Sequence, residues 1–133
     1  MNLEKLKRWG DDHFPEYLGI VVVEAEHGRI VMEIPVRQQL LAPNGYLHAG
    51  AVVAVADTAC GYGSMASLPE GATGFTTIEL KTNFVGTTRE GRASCTAKLT
   101  HGGRTTQVWD AEVTNETGEA IAHFRCTQLL LYP

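Results

Sequence analysis

Apolar residues recur at Leu3, Leu6 and Trp9, the spacing of one helical face, so residues 1–10 read as a short amphipathic helix. Residues 18–26 and 29–36 are rich in β-branched side chains and meet at His27-Gly28, a turn signal, which predicts a β-hairpin. Pro43, Asn44 and Gly45 make 38–47 a loop. From His48 to about residue 66 the pattern changes: positions 49–56 run apolar, Asp57-Thr58 interrupt, and Ala59 and Cys60 continue. That run lacks the broad polar face of a surface helix and predicts a central helix buried nearly all round, its small residues admitting close backbone. Strand patterning resumes at 73–85 and at 92–100, where Ala93, Cys95, Ala97 and Leu99 alternate with Arg92, Ser94, Lys98 and Thr100. Two further strands, 105–114 and 119–131, flank the turn Asn115-Glu116-Thr117-Gly118. Helix, hairpin, long apolar helix and a four-strand meander exclude an alternating βαβ sheet. The order predicts an α+β fold in which an antiparallel sheet curls around one helix.

Neither repeat nor linker interrupts this order, and 133 residues suit one domain, 1–133. A net charge of -4 without a Lys/Arg cluster argues against nucleic acid as a partner. No apolar run approaches the ~20 residues of a membrane span, and residues 1–10 lack the apolar core of a signal peptide. No membrane association and a cytoplasmic location are the expectations. Cys60, Cys95 and Cys126 form no CxxC pair and read as reduced core residues; no HExxH-type set points to a metal.

Asp57 carries the most information, because a carboxylate in an apolar helix loses hydration on burial at a cost of several kcal/mol unless compensated. It is either functional or bonded to backbone where the helix bends or meets water. His48 stands at the loop-to-helix junction, where unpaired N–H groups and a partial positive charge suit an oxygen acquiring negative charge; the plainer alternative is a packing or capping histidine. Nine residues of straight helix span roughly 13 Å, so His48 and Asp57 of one chain cannot touch a common atom. If both serve one site, they come from different subunits, and a dimer is part of the expectation. Ser64 lies in Gly61-Tyr62-Gly63-Ser64-Met65-Ala66, which is neither a G-x-S-x-G elbow after a strand nor a dinucleotide fingerprint between strand and helix.

Residues 44–59, Asn44-Gly45-Tyr46-Leu47-His48-Ala49-Gly50 through Asp57-Thr58-Ala59, followed by Thr77-Ile78-Glu79-Leu80-Lys81-Thr82-Asn83-Phe84, resemble the phenylacetyl-CoA-type (PaaI-like) hotdog thioesterases. The resemblance runs from about residue 18 to 131 and implies a hotdog fold, an acyl-CoA substrate, no further cofactor, and a homodimer with dimers pairing into a tetramer. It carries the helical acid, nucleophile or general base, onto Asp57, the helix-opening histidine onto His48, and the glycine whose N–H faces the thioester carbonyl onto Gly50. Relatives read His-Gly-Gly where this chain has Ala49, a small residue beside the substrate. The polar residue that relatives carry six positions before the histidine is Ala42 here, and Asn44 is the only candidate for its role. A strand serine or threonine facing the acid falls on Thr76 or Thr77, with Thr77 the first choice.

The expected chemistry is acyl transfer to water: the Gly50 N–H stabilises the developing oxyanion, Asp57 of the partner chain attacks or activates water, and His48 and Asn44 orient the thioester. His101-Gly102-Gly103-Arg104 offers backbone N–H groups beside a guanidinium for the CoA nucleotide, or is a plain hairpin turn. Two other readings stand beside this one. The first is a non-catalytic acyl-CoA-binding or sensing protein. The second is a hotdog dehydratase, hinted at by His13-Phe14-Pro15, although that tripeptide lies two strands before the central helix and reads as coincidence.

Overall fold

The computed structural model describes residues 1–133. Two short helices, α1 (Leu3–Trp9) and α2 (Phe14–Tyr17), precede the hairpin β1 (Val21–Glu26) and β2 (Arg29–Pro35). A 3-10 turn at Gln38–Leu40 leads to the long helix α3 (Ala49–Ala66), and β3 (Gly74–Phe84), β4 (Arg92–Gly102), β5 (Thr106–Thr114) and β6 (Ala120–Leu131) follow. Residues 38–47 are thus partly helical, closed by a Leu41–Leu47 bridge. The second helix carries no periodic signal in the sequence, because four residues are too few for periodicity to register; Pro15 at its first turn is the local signal for it.

All six strands form one antiparallel sheet in the order β1-β2-β4-β5-β6-β3. The α+β expectation holds, but the four-strand meander needs correcting: only β4, β5 and β6 pair in succession, and β3 crosses to the far edge to pair with β6. Residues 85–91 between β3 and β4 are long enough for that crossing, and strand periodicity carries no information about which neighbour a strand chooses. Inward residues of the sheet, among them Ile30, Met32, Ile34, Ala93, Cys95, Ala97, Trp109, Val113 and Phe124, bury α3. Phe75 lies against Gly61, where a Cβ would come within 2.8 Å of its ring, so the absence of a side chain lets helix and strand meet.

The helix is not buried all round. Val52, Val55, Ala56, Ala59 and Cys60 are enclosed, whereas Val53, Ala54, Asp57 and Thr58 are half-buried and Gly50 is exposed. These last residues lie three or four apart and form one open stripe along α3. No helix is long and apolar enough to cross a membrane.

Candidate active site

His48 caps α3 in extended backbone conformation, φ -61° and ψ 137°, and its Nδ1 accepts the Gly50 N–H at 2.7 Å. The junction is held on both sides: the His48 N–H donates to the Leu40 carbonyl at 2.9 Å and the Leu47 N–H to the Thr88 carbonyl at 2.8 Å. Because Nδ1 accepts, the ring proton of a neutral His48 sits on Nε2, which is left as a donor. The Ala51 and Val52 N–H groups bond back to the His48 carbonyl, and only the Ala49 N–H at the helix start has no partner in the chain. The Gly50 N–H, expected to face the thioester carbonyl, is engaged by His48 instead.

Asp57 sits in the middle of α3 on the open stripe. Its Oδ1 is buried without a hydrogen-bond partner, and burial pushes its carboxyl above the ordinary value of 3.8. No cation offsets the loss of hydration, so this carboxylate is more basic than a solvated one and short of a ligand. Facing α3, Thr77 points inward from β3 and donates its hydroxyl proton to Gln128 Oε1 at 2.6 Å, which leaves it only as an acceptor toward the site. Gln128 is fully buried and its Nε2 has no partner. Of the two threonines, Thr76 is exposed and Thr77 half-buried; a bulge follows at Ile78.

Other predicted positions are not brought to His48 within one chain. Asn44 is exposed, and its Oδ1 accepts the Tyr46 N–H at 3.2 Å, a local turn that shapes the approach to His48. His101 and Gly102 are the last residues of β4, and Gly103 and Arg104 begin the turn to β5. That hairpin lies beside the far end of α3: the Leu99 N–H donates to the Gly28 carbonyl, and the Gly28 N–H to Oγ of Ser67, the C-cap. An 18-residue helix, roughly 27 Å long, therefore separates it from His48. Ala42 precedes Asn44 in the same loop, its N–H bonded to the Tyr46 carbonyl at 2.7 Å.

Two features escaped the sequence. A groove of about 190 Å³ opens beside His48 and Gly50, walled by Phe14, Leu18, Leu40, Leu41 and Ala54, with the Gln39 amide on its lining. The residues come from three segments, so no linear motif announces them. A larger polar groove of about 750 Å³, with Lys81, Lys98, Asp110 and Arg125, lies on the outward face of the sheet and contains neither Asp57 nor His48.

The remaining candidate nucleophiles are muted. Cys60 is raised well above its usual range, first by its hydrogen bond with Cys126 and then by burial, and burial pushes Cys95 up to about 12. All three thiols are buried and free, as the composition implied. Ser64 is buried and donates to the Cys60 carbonyl at 3.0 Å. No three His, Cys, Asp or Glu side chains are grouped so as to hold a metal ion. The exposed histidine cap and the unpartnered carboxylate remain as the candidate site.

Residues 44–122, which include both, match the family model of the thioesterase superfamily. The chain is 33% identical over 112 residues to a 1,4-dihydroxy-2-naphthoyl-CoA hydrolase of Listeria monocytogenes, covering 84% of this chain and 90% of that one. It is 30% identical over 116 residues to the acyl-coenzyme A thioesterase PaaI of Escherichia coli, covering 86% and 80%. Among solved structures, a mutant of thioesterase PA1618 from Pseudomonas aeruginosa superposes with a TM-score of 0.93 at 26% identity, over 100% of this chain and 96% of that one. Chain order, sheet topology and these matches agree, and the chain belongs to the thioesterase superfamily of hotdog-fold thioester hydrolases.

Proposed function

We propose that the protein acts as a homodimer that hydrolyses acyl-CoA thioesters, with Asp57 of one subunit and the His48 end of α3 of the other completing each site. The observation that carries this reading is the half-buried Asp57 carboxylate, its Oδ1 unpartnered and its pKa raised, on an otherwise apolar helix. Such a group is expensive to keep unless a substrate or water completes it.

The open stripe on α3 and the edge strand β3 support the dimer. Ile78 and Leu80 on β3 are 58% and 42% exposed, and an apolar edge with free backbone groups is a template for a second copy. Pairing two β3 strands antiparallel sets the two α3 helices side by side in opposite directions, so Asp57 of one approaches the first turn of the other. The same symmetry carries the 101–104 turn of the partner subunit toward the His48 end, where its N–H groups and guanidinium reach a CoA phosphate.

In the reaction, the thioester carbonyl oxygen lies against the positive end of α3. The Ala49 N–H and the His48 Nε2–H donate to it, with the Gly50 N–H holding the ring in place. Asp57 removes a proton from water as the water oxygen attacks the carbonyl carbon; Thr77 accepts the second hydrogen of that water. The tetrahedral intermediate collapses, the C–S bond breaks, and the CoA thiolate takes the proton from Asp57. Direct attack by the carboxylate would give an anhydride that water then opens, with the same products. Relatives that act on 1,4-dihydroxy-2-naphthoyl-CoA place aromatic acyl-CoAs in the first panel to test.

The test is release of free CoA from phenylacetyl-, benzoyl-, butyryl-, hexanoyl- and decanoyl-CoA by the wild type and by folded Asp57→Ala and Asp57→Asn variants. Turnover that falls at least about a hundredfold in both variants is expected. Turnover surviving both substitutions removes Asp57 from the chemistry, and a wild type that binds but never cleaves acyl-CoA is a binding protein.

A further inference from the structure

We propose that Phe14 sets the length of the acyl group this protein accepts, the groove between α2 and the first turns of α3 holding the acyl tail; this rests on the acyl-CoA reading above. The groove starts at the site, since His48 and Gly50 are part of its wall, and ends on α2. Its walls are apolar, from Leu18, Leu40, Leu41 and Ala54, and its only amide is Gln39. At about 190 Å³ it is smaller than the ~300–1,000 Å³ that accommodates a drug-sized ligand, so it holds a tail and not the nucleotide.

Phe14 lines this groove yet is 61% exposed, a large apolar ring with little protein packed against it. An acyl tail running away from the thioester along the groove meets that ring and covers it. The wall is firmly placed. The Asp12 N–H donates to Glu16 Oε2 at 2.8 Å, the Ile20 N–H to the Pro15 carbonyl at 2.9 Å, and Arg37 to the Tyr17 carbonyl at 2.7 Å. Phe14 follows His13, the N-cap of α2, and Pro15 sets the first turn, so the backbone that carries the ring is held in place. The His13-Phe14-Pro15 tripeptide thereby acquires a role unrelated to dehydration chemistry.

Because the ring is mostly exposed, replacing it leaves the core intact and isolates its effect on ligand length. The experiment is calorimetric titration of the full-length protein with S-alkyl-CoA thioethers from butyl to dodecyl, which lack the carbonyl and cannot be hydrolysed. Phe14→Ala is expected to move the tightest-binding ligand to a longer chain, and Phe14→Trp to a shorter one, with about tenfold weaker binding of the longest wild-type ligand. A length profile unchanged in both variants overturns the proposal and leaves the thioesterase reading standing. Failure of the wild type to bind any member overturns it too, and CoA release from hexanoyl-CoA then decides whether the thioesterase reading falls with it.

Discussion

Asp57 and His48 each combine a structural cost or benefit with a proposed chemical role, and substitutions separate the two. Burial raises the folded-state pKa of Asp57 above 3.8, so between the unfolded and folded values the native state holds more protons than the unfolded chain. Stability then falls as pH rises through that window and stays lower above it. Asp57→Asn should therefore raise the melting temperature by a few degrees at pH 7, with the gain vanishing as pH drops below the unfolded value, followed by calorimetry across pH. The acid limb of kcat/KM should lie above the ordinary carboxylate range for the same reason. His48 divides differently: it caps α3 through Nδ1, and its Nε2–H is the proposed donor to the substrate. His48→Ala should cost about 1 kcal/mol in urea unfolding and lose activity, whereas His48→Asn retains a side-chain cap and should recover stability without recovering the rate. Recovery of both stability and rate by His48→Asn would mean that His48 only caps.

Among elements, α3 depends on small residues where it meets the sheet. A Cβ on Gly63 would come within 2.6 Å of the Trp109 ring, which is fully buried and anchored by its Nε1–H to Gln107 Oε1 at 2.9 Å. Gln107 in turn donates to the Ser67 carbonyl at 2.9 Å, at the C-terminal end of the helix. The ring has no easy retreat, and Gly63→Ala should destabilise the protein by ~1–3 kcal/mol in urea unfolding. The run of Ala and Gly at 49–63 already suggested close packing in the sequence, but which glycine faces a tryptophan depends on β5 lying beneath α3. The strands themselves were legible to within a few residues from alternation and turn signals. The place of β3 beyond β6 was not, since alternation is the same for a strand in the middle of a sheet and for one at its edge.

For the whole molecule, the proposed site is divided between the start and the middle of α3, and in that proposal a second copy brings the two together. Mixing His48→Ala with Asp57→Asn subunits tests this directly. In a random mixture half the dimers are hybrids, each with one intact site, so activity should recover to roughly a quarter of wild type from two inactive parents. No recovery after confirmed subunit exchange would place both residues outside a shared site. Leu80→Lys on the exposed edge strand should shift sedimentation toward monomer and abolish turnover together.

The chain alone determined the central helix with its isolated Asp57, the histidine at its start and the strands around it, because periodicity, turn chemistry and the cost of a carboxylate in apolar surroundings are local properties. The family resemblance made Thr77 the preferred threonine, without saying that its proton belongs to Gln128, a residue 51 positions away. Only the tertiary structure decided that β3 forms an edge, that one stripe of α3 stays open, that the Gly50 N–H is held by His48 and that Phe14 walls a groove beside it. Each of those depends on contacts between distant segments, where many arrangements bury the same residues and three-dimensional packing selects one.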